Sequence, residues 1–120
     1  MIVTGHAADP YDPRAVRAST GSLFAIPVVR VPGHREVLAW AAGRIVATDE
    51  HGPTDLADSD LTGPTVVLIG NETTGLSAAW REAAEEIVRI PITGAASSLN
   101  AAAAGTVVLY EAARQRRSAG

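Results

Sequence analysis

The 120-residue chain predicts an α/β fold: a mostly parallel sheet with helices on both faces. Three observations carry this. Short β-branched runs alternate with helix-like segments along the whole length, the pattern of strand–crossover–strand units. Residues 65–69 (TVVLI) form a continuous apolar run between turns, as expected of a parallel strand buried on both faces. Two polar, glycine-bearing turns, after Ile69 and after Ile90, each follow such a run and lead into a helical segment. Ligands in open α/β sheets bind at such strand ends, where backbone N–H groups and small side chains lie open.

The elements follow in order. Residues 2–4 are a short β-branched strand. Residues 9–13 (DPYDP) are a turn by composition, and Asp12 followed by Pro13 suits an N-cap and first helical position. A short helix over 14–20 would end at Gly21. Residues 24–31 read as a strand whose Pro27 belongs at its start or on an edge. Gly33 opens a helix over 34–42, with Val37, Leu38 and Ala41 on one face. Arg44–Thr48 is a strand, and residues 49–62, acidic and turn-rich, form a surface loop. After the strand at 65–69, Ser77 caps a helix reaching Glu85. Residues 87–90 are a further strand, 94–98 a loop, and 99–117 the longest helix. Its apolar positions lie on most sides, so it is expected to be buried in the domain or at a dimer interface.

At this length the chain makes one compact domain. Its composition, 47% hydrophobic and 19% charged, is that of a globular protein. With no cysteine it has neither disulfides nor thiolate chemistry. No apolar run approaches the ~20 residues needed to cross a bilayer, and the first ten residues do not read as a signal peptide. A cytoplasmic protein is expected. The net charge of −3 argues against a nucleic-acid binder, but the charge is uneven. Residues 1–48 carry five Arg against three acids, and residues 49–60 carry five acids and no Lys or Arg. A basic N-terminal third can touch phosphate locally, or it is ordinary solvated surface. His6, His34 and His51 lack metal-ligand spacing.

The first turn, GNETTGLS over 70–77, nearly fits the phosphate-binding pattern G-x-x-x-x-G-K-[ST]. Leu76 stands where the lysine must be, and the chain contains no lysine, so a nucleotide triphosphatase is disfavoured. Gly70 and Gly75 serve either as plain turn residues or to open a ligand site, with Glu72 at a strand end where a carboxylate can orient a ligand. In the second turn, Ser97 and Ser98 are N-cap candidates for the last helix. Asn100, a poor helix former, stands one or two residues inside it. Ala101 to Ala104 and Gly105 leave a flat surface that permits close backbone approach.

LIGNETTGL, RIPITGAASSLN and the following AAAAGTVVLYEA resemble motifs two and three of the SPOUT superfamily of RNA methyltransferases. They are most similar to its SpoU/TrmH-type ribose 2′-O-methyltransferases, and DPYDPRAVRASTGSLFAIPV resembles the stretch between motifs one and two. The resemblance covers nearly the whole chain, with two motifs in order at the proper separation. It implies an α/β domain with a C-terminal trefoil knot, an exception to the rule that chains do not knot. It implies S-adenosyl-L-methionine bent in that knot against Gly70, Ile90 and Leu99, with Gly75 and Ile92 lining the pocket. It implies Glu72, Ser98 and Asn100 as polar active-site residues, and a homodimer through the last helix. The reaction would be methyl transfer to a ribose 2′-hydroxyl of rRNA or tRNA.

The chain departs from the pattern in two places. The family's motif one, with an Asn and an Arg that helps activate the hydroxyl, precedes the segment matched by the first strand and is missing, as in an N-terminally shortened domain. After Asn100 the family usually has Val and then Ser, where this chain has Ala101 and Ala102. The alternative is therefore a catalytically weak or inactive cofactor-binding and dimerisation module. Arg17, in the region matching the family's RNA-facing helix, is the candidate RNA contact; its bland role is a surface ion pair.

Overall fold

The structure, a computed structural model, describes residues 1–4, 11–18, 27–70, 75–93 and 100–120, with the backbone alone at 15, 16 and 18. It divides into two compact units, Met1–Trp40 and Ala41–Gly120.

The first unit contains β1 (Ile2–Thr4), α1 (Pro13–Ala18), β2 (Val29–Val31) and α2 (His34–Trp40). β1 and β2 pair in parallel, Ile2 opposite Val29 and Thr4 opposite Val31. The pairing starts with the Val29 amide donating to the Met1 carbonyl at 3.0 Å. Pro27 lies just before the strand, where its missing N–H costs no ladder bond, and its carbonyl accepts from the N-terminal ammonium at 2.8 Å. Asp12 caps α1 as expected, accepting from the Arg14 amide at 2.8 Å, with Pro13 as the first helical residue. On α2, Val37 is the buried residue.

The second unit contains β3 (Arg44–Thr48), β4 (Thr54–Asp55), a 3-10 turn (Leu56–Asp58), β5 (Thr65–Leu68), α3 (Ala78–Ala83), β6 (Glu86–Arg89) and α4 (Ala101–Ala119). Its four strands run in the order β4-β6-β3-β5, every pair parallel. The expected parallel α/β architecture is thus present. Val46, Leu56, Leu61, Val88 and Val108 form its buried core, with Val67, Ile90 and Ala112 packed against them. Burial of each large side chain contributes about 1.5–3 kcal/mol.

Residues 49–62 correct the expectation of a surface loop. They contain β4 and the 3-10 turn, and Leu56, Ser59 and Leu61 are buried. Averaged composition hid this, because Glu50, Asp58 and Asp60 face solvent while Leu56 and Leu61 turn inward. The segment also carries an unusual crossing. Thr48 on β3 and Thr54 on β4 flank the same residue of β6, Val88, from opposite sides. The turn between them therefore straddles β6. At Gly52 it lies so close that a Cβ would stand 2.7 Å from the Val88 carbonyl carbon and 3.0 Å from the Arg89 nitrogen. Any larger residue would collide with backbone there.

α4 begins later than expected. Its N-cap is Asn100, whose side chain accepts from the Ala103 amide at 2.8 Å; the candidates Ser97 and Ser98 lie outside the described residues. Asn outcompetes a helical conformation at that position by bonding the free N–H groups of the first turn. Val108 and Glu111 are buried on α4, whereas Leu109 (67% exposed) and Tyr110 (66%) face outward. Near its end, Gln115 accepts from the Leu61 amide and donates to the Ser59 carbonyl, both at 2.8 Å. Arg116 donates to the carbonyls of Leu61 (3.2 Å) and Gly63 (3.0 Å). These bonds satisfy the backbone of a connection that carries no sheet partners of its own.

Candidate functional site

Because the sheet is parallel, β3, β5 and β6 all deliver their following residues to the same edge. Gly70 follows β5 and Ile90 follows β6, on either side of β3, so the two exits stand about 10 Å apart by strand spacing. The chain passes from β5 to β6 across β3, so the two exits flank the carboxyl end of β3, the edge at which open α/β sheets bind ligands. The end of β3 is tied to both neighbours. The Thr48 hydroxyl donates to the Leu68 carbonyl at 3.2 Å, and the Asp49 amide donates to the Val88 carbonyl at 2.9 Å.

The loop after β5 is pinched by its two glycines. A Cβ on Gly70 would stand 2.5 Å from the Gly75 carbonyl carbon and 2.6 Å from the Leu76 nitrogen. Gly75 has φ +68°, the left-handed region that favours glycine. The pair brings backbone against backbone and presents no side chain at the neck. Beyond it, Ser77 is the N-cap residue of α3 without a side-chain cap bond.

On the other flank, Ile90 packs against the core, and Ile92 is half-buried two residues further on. Asn100 opens α4. Its cap bond engages Oδ1, which accepts from the Ala103 amide. Glu72, Ser98 and Leu99 lie outside the described residues. Arg17 is exposed in the last turn of α1, in the first unit. The structure thus joins Gly70 to Gly75 and places Ile90 at the exit of β6, on the other side of β3.

Sequence reasoning missed the turn at 49–52. The Asp49 carboxylate accepts from the His51 amide at 2.7 Å and from Arg81 of α3. Arg89 donates to the Gly52 carbonyl at 3.0 Å. The His51 bond, aided by Arg81, holds the Asp49 carboxyl below its ordinary range against an opposing desolvation by burial. The signal was available in D-x-x-G directly after a strand, but the acidity of the surrounding residues pointed to solvent. Among the described residues, no three His, Cys, Asp or Glu side chains gather as a metal site.

Residues 1–110 match the sequence model of the SpoU rRNA Methylase family. The chain belongs to the SpoU rRNA methylase family. A 23S rRNA (uridine(2479)-2′-O)-methyltransferase of Streptomyces viridochromogenes is 57% identical over 98% of the chain, which covers 44% of that protein. Among solved structures, the SpoU methyltransferase AviRb from the same organism, in complex with AdoMet, superposes with a TM-score of 0.90 at 59% identity. That match covers 98% of the chain and 49% of AviRb. An AdoMet-bound rRNA methyltransferase from Sinorhizobium meliloti gives a TM-score of 0.86 at 40% identity, covering 94% of the chain and 44% of that protein. The chain therefore spans about half the length of the SpoU relatives it matches.

Proposed function

We propose that the chain is the cofactor-binding part of an S-adenosylmethionine-dependent RNA ribose 2′-O-methyltransferase. The observation that carries this reading is the superposition on AdoMet-bound AviRb over 98% of the chain. The geometry supports this: Gly70 closes the turn against the backbone of Gly75 and Leu76, and Gly75 faces open space, with nothing within 4 Å of where its Cβ would stand. Gly70 and Ile90 would flank the cofactor from two strand exits, with Gly75, Ile92 and Leu99 completing the lining. When bound, the cofactor supplies a methyl group on a sulfonium sulfur. Transfer breaks the C–S bond, forms a C–O bond to ribose O2′ and sends the hydroxyl proton to a base. Glu72, Ser98 and Asn100 are the polar groups proposed to orient that hydroxyl, and of the three the Glu72 carboxylate is the one able to accept its proton. Holding it in line with the methyl carbon lowers the barrier further.

The straddling of β6 by the 49–53 turn supports a trefoil knot, since a later strand passes beneath an earlier connection. The exposed apolar residues of α4 (Leu109, Tyr110 and Val107) support a homodimer through that helix. Arg17 is proposed to contact RNA phosphate or ribose. An rRNA or tRNA substrate fits a cytoplasmic protein, and among the described residues no helix is long and apolar enough to cross a membrane.

Isothermal calorimetry with S-adenosylmethionine tests the cofactor reading. Saturable one-site binding is expected, and no heat at millimolar cofactor would overturn it. A tritiated-methyl assay on unmodified rRNA and tRNA then tests transfer.

A further inference from the structure

Asp49 and Arg81 lie outside the segments that carry the SpoU motifs, yet the bonds of their ion pair converge on the exit of β6. Arg81 reaches from α3 to one carboxylate oxygen of Asp49, and the other oxygen accepts from the His51 amide. The Asp49 side chain is 16% exposed. The Asp49 carbonyl accepts from the Gly52 amide at 3.0 Å, and the Asp49 amide donates to the Val88 carbonyl. Gly52 in turn lies on the backbone of Val88 and Arg89, and its carbonyl is held by Arg89. The next residue is Ile90. A two-point grip on one carboxylate thus fixes the turn, and the turn presses on the peptide that leads into Ile90. With both oxygens engaged, Asp49 serves to position other groups.

We infer that Asp49 and Arg81 are positioning residues for the strand exit at Ile90, and that loosening their pair weakens cofactor binding through Gly52 and the backbone of residues 88–90. The inference rests on the cofactor reading above and extends it to residues outside the motifs. Backbone contact without slack between turn and strand makes the coupling short, since packed groups of this kind hold discrete arrangements and do not deform smoothly.

The test is calorimetric titration of S-adenosylmethionine into the 120-residue chain and its R81A, D49N and D49N/R81A variants, with a thermal melt of each. The D49N side chain keeps an oxygen acceptor for the His51 amide and loses both the charge and the acceptor that Arg81 meets. R81A, which removes a partly exposed side chain, guards against a D49N variant that does not fold. The expected result is a Kd raised roughly tenfold in each single variant, and no further rise in the double variant. Wild-type affinity in a folded R81A or D49N protein overturns the inference and leaves the cofactor reading standing. Additive losses in the double variant also overturn it, because the two residues then act separately. Absence of binding by the unaltered chain overturns the cofactor reading itself, and this inference with it.

Discussion

Single glycines in this chain carry opposite expectations, and space decides the sign. A Cβ at position 52 meets the Val88 carbonyl carbon at 2.7 Å, whereas one at position 105 in α4 meets nothing within 4 Å. Gly52→Ala is expected to destabilise by about 1–3 kcal/mol, since the obstruction is backbone and cannot rotate away. Gly105→Ala should stabilise by about 1 kcal/mol through helix propensity alone. Urea unfolding of the two variants checks both signs. Asn100 allows a second separation. Asn100→Ala removes the cap and should cost about 1 kcal/mol. Asn100→Asp keeps an acceptor for the Ala103 amide, and so keeps the stability, but replaces the Nδ2 donor with an oxygen. If that donor serves the proposed reaction, Asn100→Asp loses methyl transfer while its urea midpoint stays at or above the wild-type value.

At the scale of elements, most of the architecture is legible in the sequence, and the failures share a cause. β3 reads at its observed bounds, and β5 and β6 to within a residue or two, because continuous apolar runs between turns admit few readings. β4 is invisible: a two-residue strand has no periodicity, and it exists because β6 offers it a partner at Val88 and Arg89. The expected start of α4 is displaced because Ser97, Ser98 and Asn100 are all competent caps, and only the tertiary path chooses among them. Of the candidate site, Gly70 and Gly75 are legible from the turn. Asp49, Arg81 and Gly52 are not, since their partners are distant in sequence.

Hydrogen-bonded and ion-paired carboxylates in these elements set an acid limb. Asp49 is held below its ordinary range by the His51 amide, Asp60 by the Thr62 side chain, and Glu111 by Arg114. A carboxyl depressed in the folded state contributes its full stability above its unfolded pKa, and the contribution is lost as pH falls through the folded value. Urea stability should therefore be level between about pH 6 and 7 and fall as pH drops below about 4. Arg114→Ala should make that fall shallower, by removing the principal cause at Glu111.

At the scale of the whole molecule, the exposed face of α4 and the exposed Arg17 make separate predictions. On the dimer proposed here, Leu109→Asp should convert the protein to monomers, read as a halved mass by light scattering, because an exposed apolar contact becomes a buried unpaired charge. If Arg17 contacts RNA, Arg17→Ala should lower RNA affinity and reduce the salt slope by about one, with cofactor affinity unchanged.

The turn that straddles β6 has a consequence for the order of assembly. β3 and β5 can pair as soon as both have left the ribosome. β4 cannot, because its partner β6 is synthesised later. On the knotted path proposed here, the connection from β3 to β5 waits as an open noose, with Leu56 and Leu61 uncovered, until β6 enters and α4 seals it with Gln115 and Arg116. Folding is then committed by the last third of the chain. On the same proposed knotted path, a bulky fusion at the C-terminus has to follow β6 through that opening and should slow maturation far more than the same fusion at the N-terminus.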